Sequence, residues 1–364
     1  MEGFAIRDRS KWGMALLLAA LGFLACNAAR AAEPCGFTTP PATTWGQRVA
    51  AVACAEHRLW YSPFLDENGR LASINVAEAE NSRLNDRTTP AWRRVVDYWK
   101  GTGLLYGASG RPGASECGVG LDAWPGSAAC RAFVVDTPWS AVFVSFAYVR
   151  AGVPGFAPSA SHFDFMRQAL RDGPDSSLRF ANPDTDKPAV GDLLCFTRGQ
   201  STPLGPAGIR SLVARNSDNI AMHCDIVVAI DDGKLYAVGG NVLQGVTMRT
   251  LHINRNGTLW NLPHKTGSPP LCTPGMPANC TFNRQDWVAL IKLEPKTTPP
   301  APVQNCCTLC PLPMPPDMKR CPAPTAPLNP QAPQAPAQPA PLAPQQPAQQ
   351  MPASPSTTAT PATP

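Results

Sequence analysis

The pattern of hydrophobic and polar positions differs between the two halves of the chain. In the first half, apolar residues recur every three or four positions, which predicts helices over 45–60, from Pro90 onward, and over 138–150. Thr44 and Thr137 can each cap the start of a helix, and Gly152 suits a helix end. The apolar stripe of the second helix consists of Trp92, Val95, Val96 and Trp99.

The second half of the chain predicts short strands rich in β-branched residues. Turn residues bound each strand, and Asp232-Gly233 between the second and third is a strong hairpin signal. Helices followed by an antiparallel meander predict an α+β domain. The five strands are expected over 190–197, 223–230, 234–238, 246–254 and 287–293.

The amino-terminal segment resembles a secretion signal rather than part of the fold. Basic residues precede an apolar run over 12–24, and Ala29 and Ala31 are the small residues that a signal peptidase requires. We therefore expect a signal peptide over 1–31, cleaved after Ala31, and a periplasmic or secreted protein. The alternative is a lipoprotein signal with Cys26 as the lipidated residue. No later segment is long and apolar enough to predict a transmembrane helix.

The carboxyl-terminal segment, 297–364, changes to proline, alanine, glutamine and threonine. Prolines recur every third residue from Pro324 to Pro339, which is the period of polyproline II. Such a composition cannot bury a core, so a disordered spacer is predicted. Four cysteines precede this run, and we favour disulfides over a zinc cluster because no histidine lies nearby. They are Cys306, Cys307, Cys310 and Cys321.

Between the two ends we predict an N-terminal helical extension over 35–89 and a main domain over 90–296. The net charge of +5 is small and no basic run occurs, so no nucleic-acid partner is predicted. Of the 13 cysteines only one lies in the leader, which leaves an even number, as expected where disulfides persist. Cys117 and Cys130, in a glycine-rich loop between the second and third helices, are expected to pair.

Ser140 is the first candidate for chemistry, since it lies in the first turn of the third helix. Free backbone amides and the helix dipole favour negative charge there, although a serine at this place commonly serves as a cap. His223 begins a strand and can act as a general base. Hairpin pairing sets it opposite Val242, or opposite Asn241 if a bulge at Gly239-Gly240 adds one residue.

Two residues compete to orient His223. Asn241 would provide the carboxamide found in Cys-His-Asn hydrolases, whereas Asp225 lies on the same strand face as the histidine. Trp139 and His162 are placed with Asp225 as substrate-binding residues, and His162 has the alternatives of a second base or a packing role.

Five sequence runs, in their order and spacing, closely resemble the bacterial domain-of-unknown-function family 2272 over about residues 90–293. That family is similar to an outlying branch of the NlpC-type, papain-like peptidases and amidases, so the resemblance implies a papain-like α+β fold. The runs are PWSAVFVSFAYVRAG, SASHFDF, PAVGDLLCF, HCDIVVAI and LYAVGGNV.

The resemblance also implies a hydrolase site. The related enzymes carry a nucleophilic cysteine where this chain has Ser140, and His223 and Asn241 correspond to their base and polar third residue. Serine is the weaker nucleophile, so two hypotheses follow. The first is a hydrolase of amide or ester bonds in an envelope polymer such as peptidoglycan. The second is a non-catalytic envelope-binding module using the same cleft. A third hypothesis is a structural protein that acts through its tail. No metal or organic cofactor is implied.

Overall fold

The computed structural model describes residues 33–36, 42–119, 125–171, 176–216, 219–268 and 270–300, and the backbone of 306–307 and 319–320. The predicted signal peptide, Cys26 and most of the predicted tail lie outside these residues. The chain divides into two compact units, Met1–Pro302 and Val303–Pro364. In the second unit, Cys306–Cys307 and Lys319–Arg320 pair as two short parallel strands.

The first unit is a mixed α+β structure, as the sequence predicts. Its described residues form eight α-helices and one seven-stranded sheet. The helices are α1 (Trp45–Leu59), α2 (Ala91–Gly101), α3 (Leu104–Gly107), α4 (Ala114–Gly118), α5 (Gly126–Asp136), α6 (Ser140–Ala151), α7 (His162–Arg171) and α8 (Gly205–Ala214). The strands are β1 (Phe64–Leu65), β2 (Leu178–Ala181), β3 (Leu193–Thr197), β4 (Met222–Asp231), β5 (Lys234–Val242), β6 (Gly245–His252) and β7 (Asp286–Leu293).

The sheet has the order β1-β6-β5-β4-β3-β7-β2. The predicted meander accounts for β3 to β6. Strand β7 instead pairs with the free edge of β3, and β2 pairs with β7 at the edge of the sheet. Neighbours are antiparallel except at β1, which pairs in parallel with β6. The sheet is therefore mostly antiparallel, with one edge strand supplied by the N-terminal extension.

Local sequence signals place the first two helices. Thr44 caps α1, and its hydroxyl and the Gln47 side chain form a reciprocal capping box. Helix α2 begins at Ala91 with Pro90 as its N-cap, and the four predicted stripe residues are buried.

The segment between α2 and α6 differs from the predicted glycine-rich loop, because it contains three helices. Gly103 and Gly113 adopt positive φ at the starts of α3 and α4, so glycine initiates helices that are too short for a periodic signal. The expected Cys117–Cys130 disulfide is present and joins α4 to α5. Thr137 ends α5 instead of capping α6, and α6 begins two residues later than predicted.

The β4–β5 hairpin turns at Asp232-Gly233, as predicted, and both turn residues have positive φ. The extra residue lies at Val228 in β4, however, and not at the predicted Gly239-Gly240 site. Beyond this bulge Ile226 faces Val238, which is the last paired position of the two strands towards His223. The pairing of β4 with β5 therefore ends before the predicted His223–Asn241 pair, and β5 shifts its register against β6 between Gly240 and Val242.

The main core lies between the helices and one face of the sheet, where α6 packs against β4, β5 and α1. Its centre is a cluster of aromatic rings from α1, α2 and α6 in which Trp60 stacks on Trp139 at 5.9 Å. Tyr98 lies 5.6 Å from both Trp139 and Phe143. A smaller apolar cluster, which includes Leu194, Val227, Leu235 and Trp287, is separate from this core.

Four disulfides occur among the described residues. Cys195 and Cys224 are directly opposite each other on β3 and β4 and form a buried cross-strand bond beside His223. The other disulfides are Cys35–Cys54, Cys117–Cys130 and Cys272–Cys280.

Candidate active site

Ser140 is the first residue of α6, and its hydroxyl contacts a histidine. The Oγ atom lies 2.8 Å from Nε2 of His162, and both side chains are nearly buried, at 5% and 4% exposure. Trp139, the N-cap residue, makes no side-chain cap hydrogen bond. The amides of the first helical turn have no carbonyl partner within the helix, so they remain positioned to stabilise negative charge at this end.

His162 is the first residue of α7, the helix that follows α6 in the chain. Burial lowers the pKa of His162 well below its usual value, and the nearby charges of His223 and Arg198 lower it further, while Asp225 opposes them. The imidazole is therefore neutral near pH 7. Its Nδ1 is buried without a hydrogen-bond partner in the described part of the chain.

His223 is paired with the buried acid two residues along β4. Its Nε2 lies 2.7 Å from Oδ1 of Asp225, and the other carboxylate oxygen accepts from Nε of Arg249 at 2.8 Å. Burial would raise the pKa of Asp225, but Arg249 and His223 lower it to about 2. The acid is thus ionised at neutral pH and holds Nε2 of His223 as a donor.

The two histidines lie next to each other, with ring centroids 5.2 Å apart. The structure therefore brings Ser140, His162, His223 and Asp225 into one cluster. Within it, the serine contacts His162 rather than the predicted His223. Asp225, not Asn241, is hydrogen-bonded to His223, because residues 223 and 225 project from the same face of β4.

Two glycines of β5 permit this arrangement. A Cβ at Gly239 would clash with Oδ1 of Asp225 and lie 2.8 Å from Nε2 of His223. A Cβ at Gly240 would clash with Phe143 and lie 2.9 Å from the Trp139 ring. The first glycine leaves room for the His223–Asp225 pair, and the second lets α6, with Ser140 at its start, lie directly against the sheet.

The β5–β6 turn beside the cluster has an unusual backbone. Asn241, Leu243 and Gln244 all have positive φ, a conformation that costs energy for residues other than glycine. The carboxamide of Asn241 forms no hydrogen bond with the described residues, and it lines the same pocket as His223. Asn241 is therefore free to contact a ligand.

The pocket beside His223 has a volume of about 170 Å³. Ser140, His162 and Trp139 are not among its wall residues. Its polar wall consists of Arg198, His223, Asn241, Arg249 and Gln285.

Trp139, predicted to bind substrate, lies instead in the aromatic core, where Glu78 accepts a hydrogen bond from its Nε1 at 2.7 Å. Glu78 is buried, which raises its pKa although the Trp139 hydrogen bond opposes the shift. Glu78 and three polar residues of the pocket wall, Arg198, Arg249 and Gln285, are site residues that the sequence did not predict. A lone arginine inside the apolar strand Gly245–His252 was a usable signal for Arg249, whereas nothing local distinguishes Glu78 from a surface acid.

Among the described residues, no group of three or more histidine, cysteine, aspartate or glutamate side chains is arranged to hold a metal ion. In the same residues, no single helix is long and apolar enough to cross a membrane; α5 and α6 would qualify only together, with a bend of 98° between them.

Comparison with known families gives a match over the part of the chain that holds the site. The model of a family described as "Uncharacterized protein conserved in bacteria (DUF2272)" matches residues 86–293, which is more than half of the chain and includes every member of the Ser140–Asp225 cluster. No curated protein and no solved structure matches the chain.

Proposed function

Because the chain belongs to the DUF2272 family, whose description names no activity, we propose its function from the site: a Ser-His hydrolase of amide or ester bonds. The observation that carries this proposal is the 2.8 Å contact between Oγ of Ser140 and Nε2 of His162 at the start of a helix. A nucleophile within hydrogen-bond reach of a neutral base is the basic requirement for this chemistry.

In the proposed reaction, Ser140 attacks the carbonyl carbon of the substrate and His162 takes the hydroxyl proton on Nε2. The tetrahedral oxyanion is stabilised by the free amides at the start of α6. His162 then returns the proton to the leaving amine or alcohol, and water releases the acyl group by the same two proton transfers. A base with a lowered pKa fits this role, because it remains unprotonated below pH 6.5.

His223 and Asp225 have a different role in this mechanism. Ionised Asp225 keeps Nε2 of His223 as a donor, so the ring presents a fixed orientation to the pocket. We assign His223 to holding the substrate and to the electrostatics around His162, whose ring it contacts. The different environments of the two histidines support separate roles for them.

The papain-like frame and the envelope substrate are parts of the same proposal. A nucleophile at a helix start is the element of the family resemblance that supports this frame, whereas the proposed base, His162, begins a helix and not the strand that the resemblance implies. Four disulfides support maturation in an oxidising compartment such as the periplasm or the extracellular space. A polymer of that compartment with amide bonds, such as peptidoglycan, is therefore the proposed substrate.

The test uses a fluorophosphonate probe, which labels activated serines, together with digestion of peptidoglycan and model esters followed by mass spectrometry. We expect labelling of the protein at Ser140, and loss of turnover by at least about a hundredfold in Ser140→Ala and in His162→Ala. Ser140→Cys should keep activity, since a thiol can replace the hydroxyl. Ser115→Ala, at an exposed serine of α4, is the matched control. Turnover that survives both Ser140→Ala and His162→Ala would refute the hydrolase.

A non-catalytic binding module is the second candidate, and one observation favours it. Ser140 and His162 are nearly buried and do not line the pocket, whereas His223 and Asn241 do. Under this alternative the probe would not label Ser140, and binding to peptidoglycan would persist in Ser140→Ala but fall in His223→Ala. The same set of variants therefore separates the two functions.

A further inference from the structure

The permanently charged groups in the described wall of the pocket beside His223 are both cationic. Its wall contains two guanidinium groups, one imidazole and two carboxamides, and no carboxylate among the described residues. Asp225 lies beneath this wall at 1% exposure. A small pocket lined in this way attracts anionic groups.

The two arginines of the wall differ in what they already bind. Arg249 is buried, and its guanidinium donates to Asp225, to the Phe282 carbonyl at 2.6 Å and to Asn283 at 2.8 Å. Its charge is therefore compensated by the protein. Its Nε and Nη1 atoms hold the wall in place, whereas Nη2 forms no hydrogen bond with the described residues.

Arg198 has no such partner. Its side chain is exposed at the end of β3, and its guanidinium forms no hydrogen bond or ion pair with the described residues. Its backbone amide, by contrast, is fixed by the carbonyl of Ala221 at 2.8 Å. Among the described residues, the pocket thus presents Arg198 as a cation without an ionic partner, on a backbone held by the Ala221 carbonyl.

We propose that this pocket is an anion subsite, in which Arg198 binds a carboxylate or phosphate group of the substrate while His223 and Asn241 contact its neighbouring atoms. A guanidinium pairs with either group through two parallel hydrogen bonds. The proposal rests on the proposed function for the identity of the ligand as a substrate, but the binding itself does not require turnover.

A bound anion would also act on the base. The charge of Arg198 is one of the influences that lower the pKa of His162. Neutralising that charge raises the proton affinity of His162. An acidic substrate that binds to Arg198 would therefore make His162 a stronger base. This couples substrate selection to the reaction step.

The experiment measures binding to the full chain carrying Ser140→Ala, so that turnover cannot interfere. The probes are monomethyl glutarate, its neutral counterpart dimethyl glutarate, and inorganic phosphate, each followed by ligand-observed NMR titration. We expect the mono-anion to bind on the order of tenfold more tightly than the neutral diester, and Arg198→Gln to abolish that difference. Arg255→Gln removes the same charge from an exposed site outside the pocket and should leave it intact.

The outcomes separate the two proposals. Competition by phosphate that requires Arg198 would identify phosphate as an acceptable group, and its absence would restrict the subsite to carboxylates. Equal binding of mono-anion and diester, or a preference unchanged by Arg198→Gln, would overturn the anion subsite even if the wild-type protein is an active hydrolase. Anion binding through Arg198 without any turnover would retain the subsite and reject the hydrolase.

Discussion

Asp225 is the residue on which the electrostatics of the site depend. It lies between His223 and Arg249 at 1% exposure, so the carboxylate and the Arg249 guanidinium compensate each other's buried charge. A buried ion pair contributes little when it is compared with an apolar replacement. Removal of one partner is costly, however, because the remaining charge is left without compensation.

Asp225→Asn should therefore destabilise the protein by about 3 kcal/mol at pH 7, since Arg249 would remain buried opposite a neutral amide. The effect should depend on pH. The pKa of Asp225 is about 2 in the folded protein against an ordinary value of 3.8, so its ionised form stabilises the fold above about pH 4. That contribution is lost as the pH falls towards 2. Urea unfolding between pH 2 and 7 measures both effects.

Asp136→Asn, at an exposed position at the end of α5, provides the control and should change the unfolding free energy by less than about 0.5 kcal/mol. The wild-type and Asp225→Asn curves should converge as the pH approaches 2. A variant that loses stability on acidification as steeply as the wild type would show that Asp225 is not the group responsible.

The sequence predicted that Ser140 and His223 belong to the site, but it did not predict their hydrogen-bond partners correctly. Ser140 and His223 stand out in the sequence because one begins an apolar helix and the other begins a strand. The contact of Ser140 with His162 spans 22 positions and depends on how α7 is placed against α6. The partner of His223 was decided by strand geometry, which favoured Asp225 over the predicted Asn241. Such pairings are determined by tertiary packing, so they cannot be predicted from a local sequence pattern.

At the scale of elements, the site depends on the close approach of α6 to β5. Gly240 faces Phe143 and Trp139, and any side chain larger than hydrogen would separate the helix from the sheet. Ser140 is the first residue of this helix. The contact therefore also determines how far the Ser140 hydroxyl lies from the sheet. Packing of the helix and position of the hydroxyl are thus linked.

Gly240→Ala should cost about 1–3 kcal/mol in unfolding free energy, because the methyl group overlaps Phe143 and overpacks the interface. It should also lower turnover, since the start of α6 must move. Gly107→Ala is the matched control: nothing lies within 4 Å of its added methyl, so stability should stay within about 1 kcal/mol of the wild type. Thermal unfolding and ester turnover measure the two effects. Equal stability of the two variants would contradict the close approach.

Element prediction succeeded where the signals were local and failed where they were not. The Thr44 cap and the Asp232-Gly233 turn lie within a few residues of the structure they specify, and both are present. The bulge at Val228 leaves no trace in composition, so it was placed at the Gly239-Gly240 pair instead. Those glycines serve close packing, which has the same sequence signature as a bulge.

At the scale of the whole molecule, the N-terminal extension is part of the folded core. The family match begins at residue 86, yet Trp60 stacks on Trp139 and Phe64–Leu65 forms the edge strand against β6. Glu78 bonds to Trp139, and its amide donates to the carbonyl of Gln244 in the β5–β6 turn. The extension therefore supports both the start of α6 and the turn that carries Asn241.

A chain that begins at residue 86 should consequently lose the fold, although it contains every proposed catalytic residue. Its truncation exposes the Trp139 ring, leaves Nε1 of that ring without an acceptor, and uncovers the edge of β6. We expect no cooperative thermal transition, whereas a chain that begins at residue 33 should unfold cooperatively. Trp60→Ala in the longer chain removes the stacking partner of Trp139 and a hydrogen bond to Tyr98, and should cost about 3–5 kcal/mol. A cooperative transition in the chain from residue 86, at the temperature of the longer chain, would mean that the family-matched region folds alone and that the extension is an accessory.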